Sequence, residues 1–71
     1  MCLAFPGKVT KIAGDQAVAD FDGIKKEVNI SLVKGVKTGD FVMVHAGFAI
    51  QKMSKQDAKE VYKLYKEAEG K

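Results

Sequence analysis

The sequence predicts a mainly β protein, namely a small OB-fold-like five-stranded β-barrel followed by a C-terminal α-helix. Apolar and β-branched residues form five short runs up to residue 53, separated by turn signals at regular spacing. Asp22-Gly23 lies between two of these runs and is typical of a tight hairpin. From residue 54 the apolar residues recur every three or four positions, which indicates an amphipathic helix.

The first strand is predicted over residues 2–12, with a bend at Pro6-Gly7. Proline cannot donate to a sheet ladder, so it is confined to edges, strand starts or bulges. The bend should leave residues 2–5 as a separate leg. A turn at residues 13–15 then leads to the second strand.

The second and third strands are predicted over residues 16–21 and 24–30, joined by a type I′ turn at Asp22-Gly23. Side chains alternate between the two faces of a strand. We therefore expect one apolar face on the third strand, formed by Ile24, Val28 and Ile30.

A loop is predicted over residues 31–40, with three of its apolar side chains packed inward: Leu32, Val33 and Val36. Residues 41–46 are apolar on both faces until His45, which predicts a strand that is central or buried on both sides. The pattern resumes at residues 48–53. Gly47 interrupts it and indicates a bulge or a close backbone approach.

The helix is predicted over residues 54–69, with Ser54 as its N-cap, Asp57 three positions on and Gly70 at its end. Its apolar stripe should pack on the barrel rather than on another protein. The stripe consists of Ala58, Val61, Tyr62, Leu64, Tyr65 and Ala68.

The chain has 71 residues, and we expect one domain over residues 1–71, with the barrel in 1–53. Twelve basic residues stand against nine acidic ones, for a net charge of +3, and every basic residue is lysine. Without the bidentate fork of arginine, the chain is a poor candidate for sequence-specific nucleic-acid binding. Neither a signal peptide nor a membrane span is evident, so a cytoplasmic protein is expected.

Cys2 and His45 are the only cysteine and histidine in the chain. They form the sole candidate nucleophile–base pair, and the small chain offers no deep substrate cavity, so an enzyme is not expected. A thiolate and an imidazole can instead form half of an iron site, with the other ligands supplied by a cargo or a partner. Alternatively, Cys2 is an ordinary buried thiol and His45 a strand histidine with a satisfied ring.

Two segments resemble one known family. The opening segment, residues 1–9, reads Met-Cys-Leu-Ala-Phe-Pro-Gly-Lys-Val and closely resembles the start of the HypC/HybG/HupF family. The second segment, residues 39–50, reads Gly-Asp-Phe-Val-Met-Val-His-Ala-Gly-Phe-Ala-Ile and is similar to the other characteristic segment of that family. The resemblance extends over essentially the whole chain.

This resemblance implies a chaperone of [NiFe] hydrogenase maturation with an OB-like barrel and a C-terminal helix, not an enzyme. Family members form a complex with HypD, an iron–sulfur protein on which iron bearing cyanide and carbonyl ligands is assembled, and contact HypE through that complex. They pass the iron group to the hydrogenase large-subunit precursor. No cofactor is then bound permanently, because the Fe(CN)2CO group is a transient cargo.

The resemblance also implies roles for particular residues. Cys2, exposed when Met1 is removed, is implied as an iron ligand and partner contact, and His45 is implied as a second iron ligand. Pro6 and Gly7 would shape the leg that presents the thiol. The implied partner contacts are Cys2, Leu3, Ala4, Phe5, Pro6, Gly7, Lys8, Gly47 and Phe48.

Two other functions stay open at this point. A small basic OB-like barrel can bind single-stranded nucleic acid by stacking bases on aromatic side chains in a lysine-lined groove. The chain could also be a plain structural subunit in which Cys2 is inert.

Overall fold

The computed structural model describes residues 4–69, and within that range it describes all side chains except those of residues 65, 68 and 69. Over these residues the chain forms five strands and then a helix, which confirms the predicted mainly β fold with a C-terminal helix. The elements are β1 (Ala4–Ala13), β2 (Gln16–Phe21), β3 (Ile24–Asn29), β4 (Phe41–His45), β5 (Phe48–Met53) and α1 (Lys55–Glu69). Within this range no helix has the length and apolar character needed to cross a membrane.

The strands form a closed ring in the order β1-β2-β3-β5-β4, because β4 pairs back with β1. Four of the five contacts are antiparallel, and the contact between β3 and β5 is parallel, at Asn29 opposite Phe48. The Asn29 N–H also donates to the Gly47 carbonyl at 2.9 Å. The ring is therefore complete only because this short β3–β5 junction joins the two antiparallel groups of strands.

Small side chains fill the interior of the ring. The buried core consists of Val9, Ala17, Ala19, Val28, Ile30, Val42, Val44 and Ala49. Four half-buried side chains pack against this core, namely Ile12, Phe21, Val33 and Val36. Valine and alanine suit a narrow ring, because side chains from all five strands must share one interior.

β1 is continuous, so the predicted separate leg over residues 2–5 is wrong where the structure describes it. Ala4 to Lys8 pair with β4, and Lys8 to Ala13 pair with β2. The register irregularity falls between Val9 and Lys11 instead of at Pro6. Pro6 is tolerated within β1 because its carbonyl is directed at α1, where it accepts from the Tyr62 hydroxyl. The nitrogen and carbonyl of a strand residue lie on the same edge. The Pro6 nitrogen therefore faces away from β4, and no hydrogen bond to β4 is lost.

The β2–β3 hairpin matches its prediction at the turn and departs from it beside the turn. Asp22 and Gly23 have φ values of 54° and 97°, as a type I′ turn requires. Of the predicted apolar face, Val28 and Ile30 are buried, whereas Ile24, directly beside the turn, is 62% exposed.

Gly47 belongs to a second tight hairpin and not to a bulge, one of the two predicted alternatives; the other, a close backbone approach, matches the Asn29 N–H that donates to the Gly47 carbonyl. Ala46 and Gly47 have φ values of 54° and 84°, and the flanking residues His45 and Phe48 pair directly. The irregularity in this hairpin lies further along, where the register places one extra residue, Ile50, on β5. Glycine is favoured at this position because the turn requires a left-handed backbone conformation. A glycine within a strand pattern does not by itself distinguish such a turn from a bulge.

The loop after β3 tucks in Val33 and Val36 as predicted, but Leu32 is 65% exposed, so its predicted burial is wrong. A tight turn, in which the Val33 N–H donates to the Ile30 carbonyl at 3.2 Å, leaves Leu32 on the outside. Asp40 fastens the end of the loop. Its carboxylate accepts from the Lys37 N–H at 2.9 Å and lies 3.4 Å from the Lys52 ammonium. The Lys37 hydrogen bond, aided by the Lys52 charge, lowers the pKa of Asp40.

Ser54 caps α1 as predicted, since its hydroxyl accepts from the Asp57 N–H at 3.0 Å. Ala58 is buried, and Val61 and Tyr62 are half-buried against the strands. Leu64 is 65% exposed, so its predicted place in the packed stripe is wrong. At about 100° per residue, Leu64 lies about 120° around the helix from buried Ala58. The surroundings of Tyr65 and Ala68 lie outside the described side chains.

Candidate functional site

The predicted ligand Cys2 and its neighbour Leu3 lie outside the described residues. The first described residue is Ala4, and Ala4 is paired directly with the other predicted ligand, His45. The strand that follows the cysteine in sequence therefore starts beside the imidazole-bearing strand.

His45 lies in a row of residues that crosses four strands. Ala4, His45, Phe48 and Asn29 occupy successive paired positions on β1, β4, β5 and β3. Directly paired residues carry their side chains on the same face of a sheet. Val44, the residue before His45, is buried in the core, so the row lies on the outer face. We refer to these four residues as the outer row.

The outer row is open to solvent at its centre. Ala4 and His45 are half-buried, and Phe48 is 42% exposed. Ile50, on the same strand as Phe48, alternates with buried Ala49 and is 46% exposed. Exposed apolar side chains that lie together are typical of interaction surfaces. The sequence analysis missed Ile50, and its alternation with buried Ala49 was the available signal.

Pro6 and Gly7, two of the predicted partner contacts, are buried. A Cβ on Gly7 would lie 2.8 Å from the Phe21 ring and 3.1 Å from the Ala19 side chain. Glycine at this position lets β1 pass under that ring. Phe5 is half-buried and Lys8 is exposed.

Tyr62 ties the helix to the start of β1. Its hydroxyl donates to the Pro6 carbonyl at 2.5 Å, across 56 positions of sequence. Burial, with added repulsion from the carboxylates of Asp22 and Asp20, raises the pKa of Tyr62 above 10.0. The phenol is therefore a protonated donor at neutral pH. The sequence predicted only that Tyr62 packs, although a buried tyrosine usually finds a partner for its hydroxyl.

The predicted iron ligands are not brought together by anything the structure describes. Between residues 4 and 69 no three His, Cys, Asp or Glu side chains are grouped closely enough to hold a metal ion. The pairing of Cys2 with His45 stays a prediction, and so do the partner contacts of the opening segment.

The fold and the outer row define a small mainly β protein, capped by a helix, that presents an imidazole and apolar side chains at one end of its sheet. Residues 1–65 match the model of the HupF/HypC family. The chain therefore belongs to that family, which confirms the resemblance of its two segments.

Relatives named hydrogenase maturation factor HypC match along most of the chain. The one from Azotobacter chroococcum mcd 1 is 38% identical over 68 residues, which is 94% of this chain and 81% of the relative. The one from Cupriavidus necator is 36% identical over 70 residues, with 97% and 78% covered. The one from Rhizobium leguminosarum bv. viciae is 38% identical over 68 residues, with 94% and 91% covered.

Proposed function

We propose that this chain is a hydrogenase maturation chaperone and not an enzyme. Its family and its relatives' names support the maturation role. In this proposal it acts in the cytoplasm, binds HypD and the large-subunit precursor of a [NiFe] hydrogenase, and meets HypE through the HypD complex. The strand order β1-β2-β3-β5-β4 supports assignment of the ring to the OB-fold-like type.

The pairing of Ala4 with His45 is the observation that carries this proposal. Only Leu3 separates Cys2 from Ala4, so a short stretch of backbone links the thiol to the imidazole-bearing end of the sheet. Thiolate and imidazole both bind iron. Two protein ligands leave the remaining iron positions to the cyanide and carbonyl ligands of the cargo or to the partner. Such a hold suits a carrier, which must take up its cargo and also release it.

The surroundings of the outer row support partner docking at the same end. Phe48 and Ile50 offer apolar surface beside His45. Burial of Pro6 and the fit of Gly7 under Phe21 fix the start of β1 within the sheet. A partner that binds there meets a pre-ordered strand, which lowers the entropy lost on association.

Substituting Cys2 tests the iron role. In this proposal Cys2→Ala keeps the wild-type melting temperature but abolishes iron in the HypD complex, purified without oxygen and measured by metal analysis. A Cys2→Ala protein that unfolds, or one whose HypD complex still carries iron, would contradict the proposal.

His45 is tested by separating iron retention from docking. We expect His45→Ala to reduce iron in the complex more than it reduces affinity for HypD. Met43→Leu, on the same face of β4, is the matched control and should change neither quantity. Equal loss of iron and affinity in His45→Ala would indicate that the histidine is structural.

A further inference from the structure

A row of lysines runs along one side of α1. Lys55, Lys59, Lys63 and Lys66 are exposed and follow one another at intervals of four, four and three residues. At about 100° per residue they fall within an arc of about 80°. At about 1.5 Å per residue they extend over roughly 16 Å of the helix axis. We refer to these four residues as the lysine row.

The lysine row has no charge partners among the side chains that the structure describes. Within that set the one ion pair joins Lys52 and Asp40, and neither residue belongs to α1. Asp22 and Glu67 lie near the row, yet neither comes within ion-pair distance of a row lysine. The positive charge of this side of α1 is therefore available to another molecule.

An open groove of about 480 Å³ lies against the lysine row, between α1 and the turn that joins β2 to β3. Tyr62, fixed by its hydrogen bond to Pro6, contributes an aromatic surface to the groove. The lining consists of Asp22, Lys59, Tyr62, Lys63, Lys66 and Glu67. Three lysines stand against two carboxylates, so the lining has a net positive charge and favours an anionic occupant.

We propose that the lysine row and this groove bind an acidic segment of a maturation partner, an inference that rests on the proposed function. Carboxylates spaced one helical turn apart would match lysines spaced by the same turn. Such a segment can also place neutral or donor side chains opposite Asp22 and Glu67. A nucleic-acid strand carries a phosphate at every nucleotide and would have to pass these carboxylates, and no arginine is present to grip it.

The groove lies close to the outer row. Tyr62, in the groove, donates a hydrogen bond to the Pro6 carbonyl. Pro6 lies two residues along β1 from Ala4 of the outer row, a distance of roughly 7 Å along the strand. One partner can therefore occupy both surfaces together. Contact at the lysine row would hold the partner at high effective concentration while iron leaves its ligands at the other surface.

Charge reversal on the helix tests this inference. The test variant is Lys59→Glu/Lys63→Glu, and the matched control is Lys26→Glu/Lys34→Glu, which makes the same charge change at exposed positions elsewhere. Glutamate is as good a helix former as lysine, and circular dichroism checks the fold. If the test variant loses helix content, Lys59→Gln/Lys63→Gln replaces it.

Affinities for purified HypD and for the large-subunit precursor are measured at about 50 mM and about 300 mM salt, since screening separates charge contacts from apolar ones. We expect the helix variant to bind one of these partners about tenfold more weakly at low salt, and the deficit to shrink at high salt. The control should stay within about twofold of wild type.

The outcomes separate this inference from the proposed function. If wild type binds neither HypD nor the precursor, the proposed function fails, and the inference fails with it. If wild type binds but the helix variant binds equally well, or the control loses as much, only the lysine row is refuted. A single-stranded oligouridine that binds more tightly than either partner, and loses affinity in the helix variant, would instead support nucleic-acid binding.

Discussion

Within the two segments that carry the family resemblance, Pro6-Gly7 and the hairpin end at Phe48 and Ile50 have opposite environments in the structure. In the opening segment, Pro6 and Gly7 are buried, and they contact α1 and the Phe21 ring. At the end of the second segment, Phe48 and Ile50 are 42% and 46% exposed. Both segments resemble the family, yet the described part of the opening segment mainly builds the fold, whereas the second segment combines core residues of β4 with side chains that face solvent at its hairpin end.

The comparison shows that a family motif does not mark one kind of role. Pro6-Gly7 fixes β1 against the helix and under an aromatic ring, so the chain before it starts from a rigid strand. The β4–β5 hairpin places His45 and Phe48 side by side on the outer face. Changes in the opening segment should therefore alter stability, whereas changes at the hairpin end should mainly alter binding.

The largest expected effect is that of Gly7→Ala. A Cβ at this position would lie 2.8 Å from the Phe21 ring and 3.1 Å from Ala19, so the ring or β1 must shift. We expect a loss of about 1–3 kcal/mol in the free energy of unfolding, measured by urea denaturation. The melting temperature should fall by about 4–8 °C for each kcal/mol.

A double-mutant cycle with Phe21→Ala is the control for Gly7→Ala. With the ring removed, most of the clash disappears, so the alanine should cost much less in that background. Additive losses would show that Gly7 is required for some other reason, such as backbone conformation.

The next largest effect concerns Tyr62. Tyr62→Phe removes the hydrogen bond to Pro6 and should cost about 1 kcal/mol. Because the pKa of Tyr62 is raised above 10.0, the folded protein holds the phenol proton more tightly than the unfolded chain does. The contribution of the protonated Tyr62 hydroxyl to the free energy of unfolding is complete below pH 10.0 and is lost as pH rises through the folded pKa.

The pH dependence gives the Tyr62 prediction its control. The free energy of unfolding is measured against pH for wild type and for Tyr62→Phe. Between neutral pH and the folded pKa of Tyr62, wild type should lose more stability than the variant, so the difference in free energy between the two curves should become smaller. Curves that stay parallel would mean that the phenolic proton does not link α1 to β1.

The fold was largely predictable because local signals agreed with it. Asp22-Gly23 and the switch to helical spacing at Ser54 were specific enough to predict a hairpin and a helix start. The errors concern burial, which depends on how far each element extends over the core. A sequence pattern does not show where a turn leaves an apolar side chain on the outside, as at Ile24 and Leu32, or that part of a helical stripe lies outside the packed face, as at Leu64.

The candidate site was predictable as a list of residues but not as an arrangement. His45 and Phe48 were identified from the sequence, yet their pairing with Ala4 and Asn29 depends on register across four strands. Tyr62 was assigned to packing alone, because a hydrogen bond across 56 residues has no local signal. The lysine row was visible in the sequence, but its groove arises only where α1 meets the β2–β3 turn.

A smaller effect of opposite sign is expected at the second hairpin turn. Ala46 has a φ of 54°, a left-handed conformation that is unfavourable for a residue with a Cβ. Ala46→Gly should relieve this strain and raise the free energy of unfolding by about 0.5–1 kcal/mol, net of the entropy of glycine. Gly47→Ala, at a φ of 84° in the same turn, is the control and should destabilise the protein. A destabilising Ala46→Gly would show that the Ala46 methyl group makes a contact worth more than the strain.

The smallest effect on stability is expected for Ile50→Thr. Ile50 is 46% exposed at the irregularity in β5, and threonine keeps the preference for a strand, so we expect a change within about 0.5 kcal/mol. Val42→Thr is the matched control. Val42 is fully buried on β4, so the hydroxyl of the introduced threonine would be buried away from water and should destabilise the protein. If Ile50→Thr keeps wild-type stability but weakens binding of HypD or of the large-subunit precursor, the hairpin end is a docking surface. If it destabilises the protein as much as Val42→Thr does, the contrast between the two segments is wrong, and the hairpin end also serves the fold.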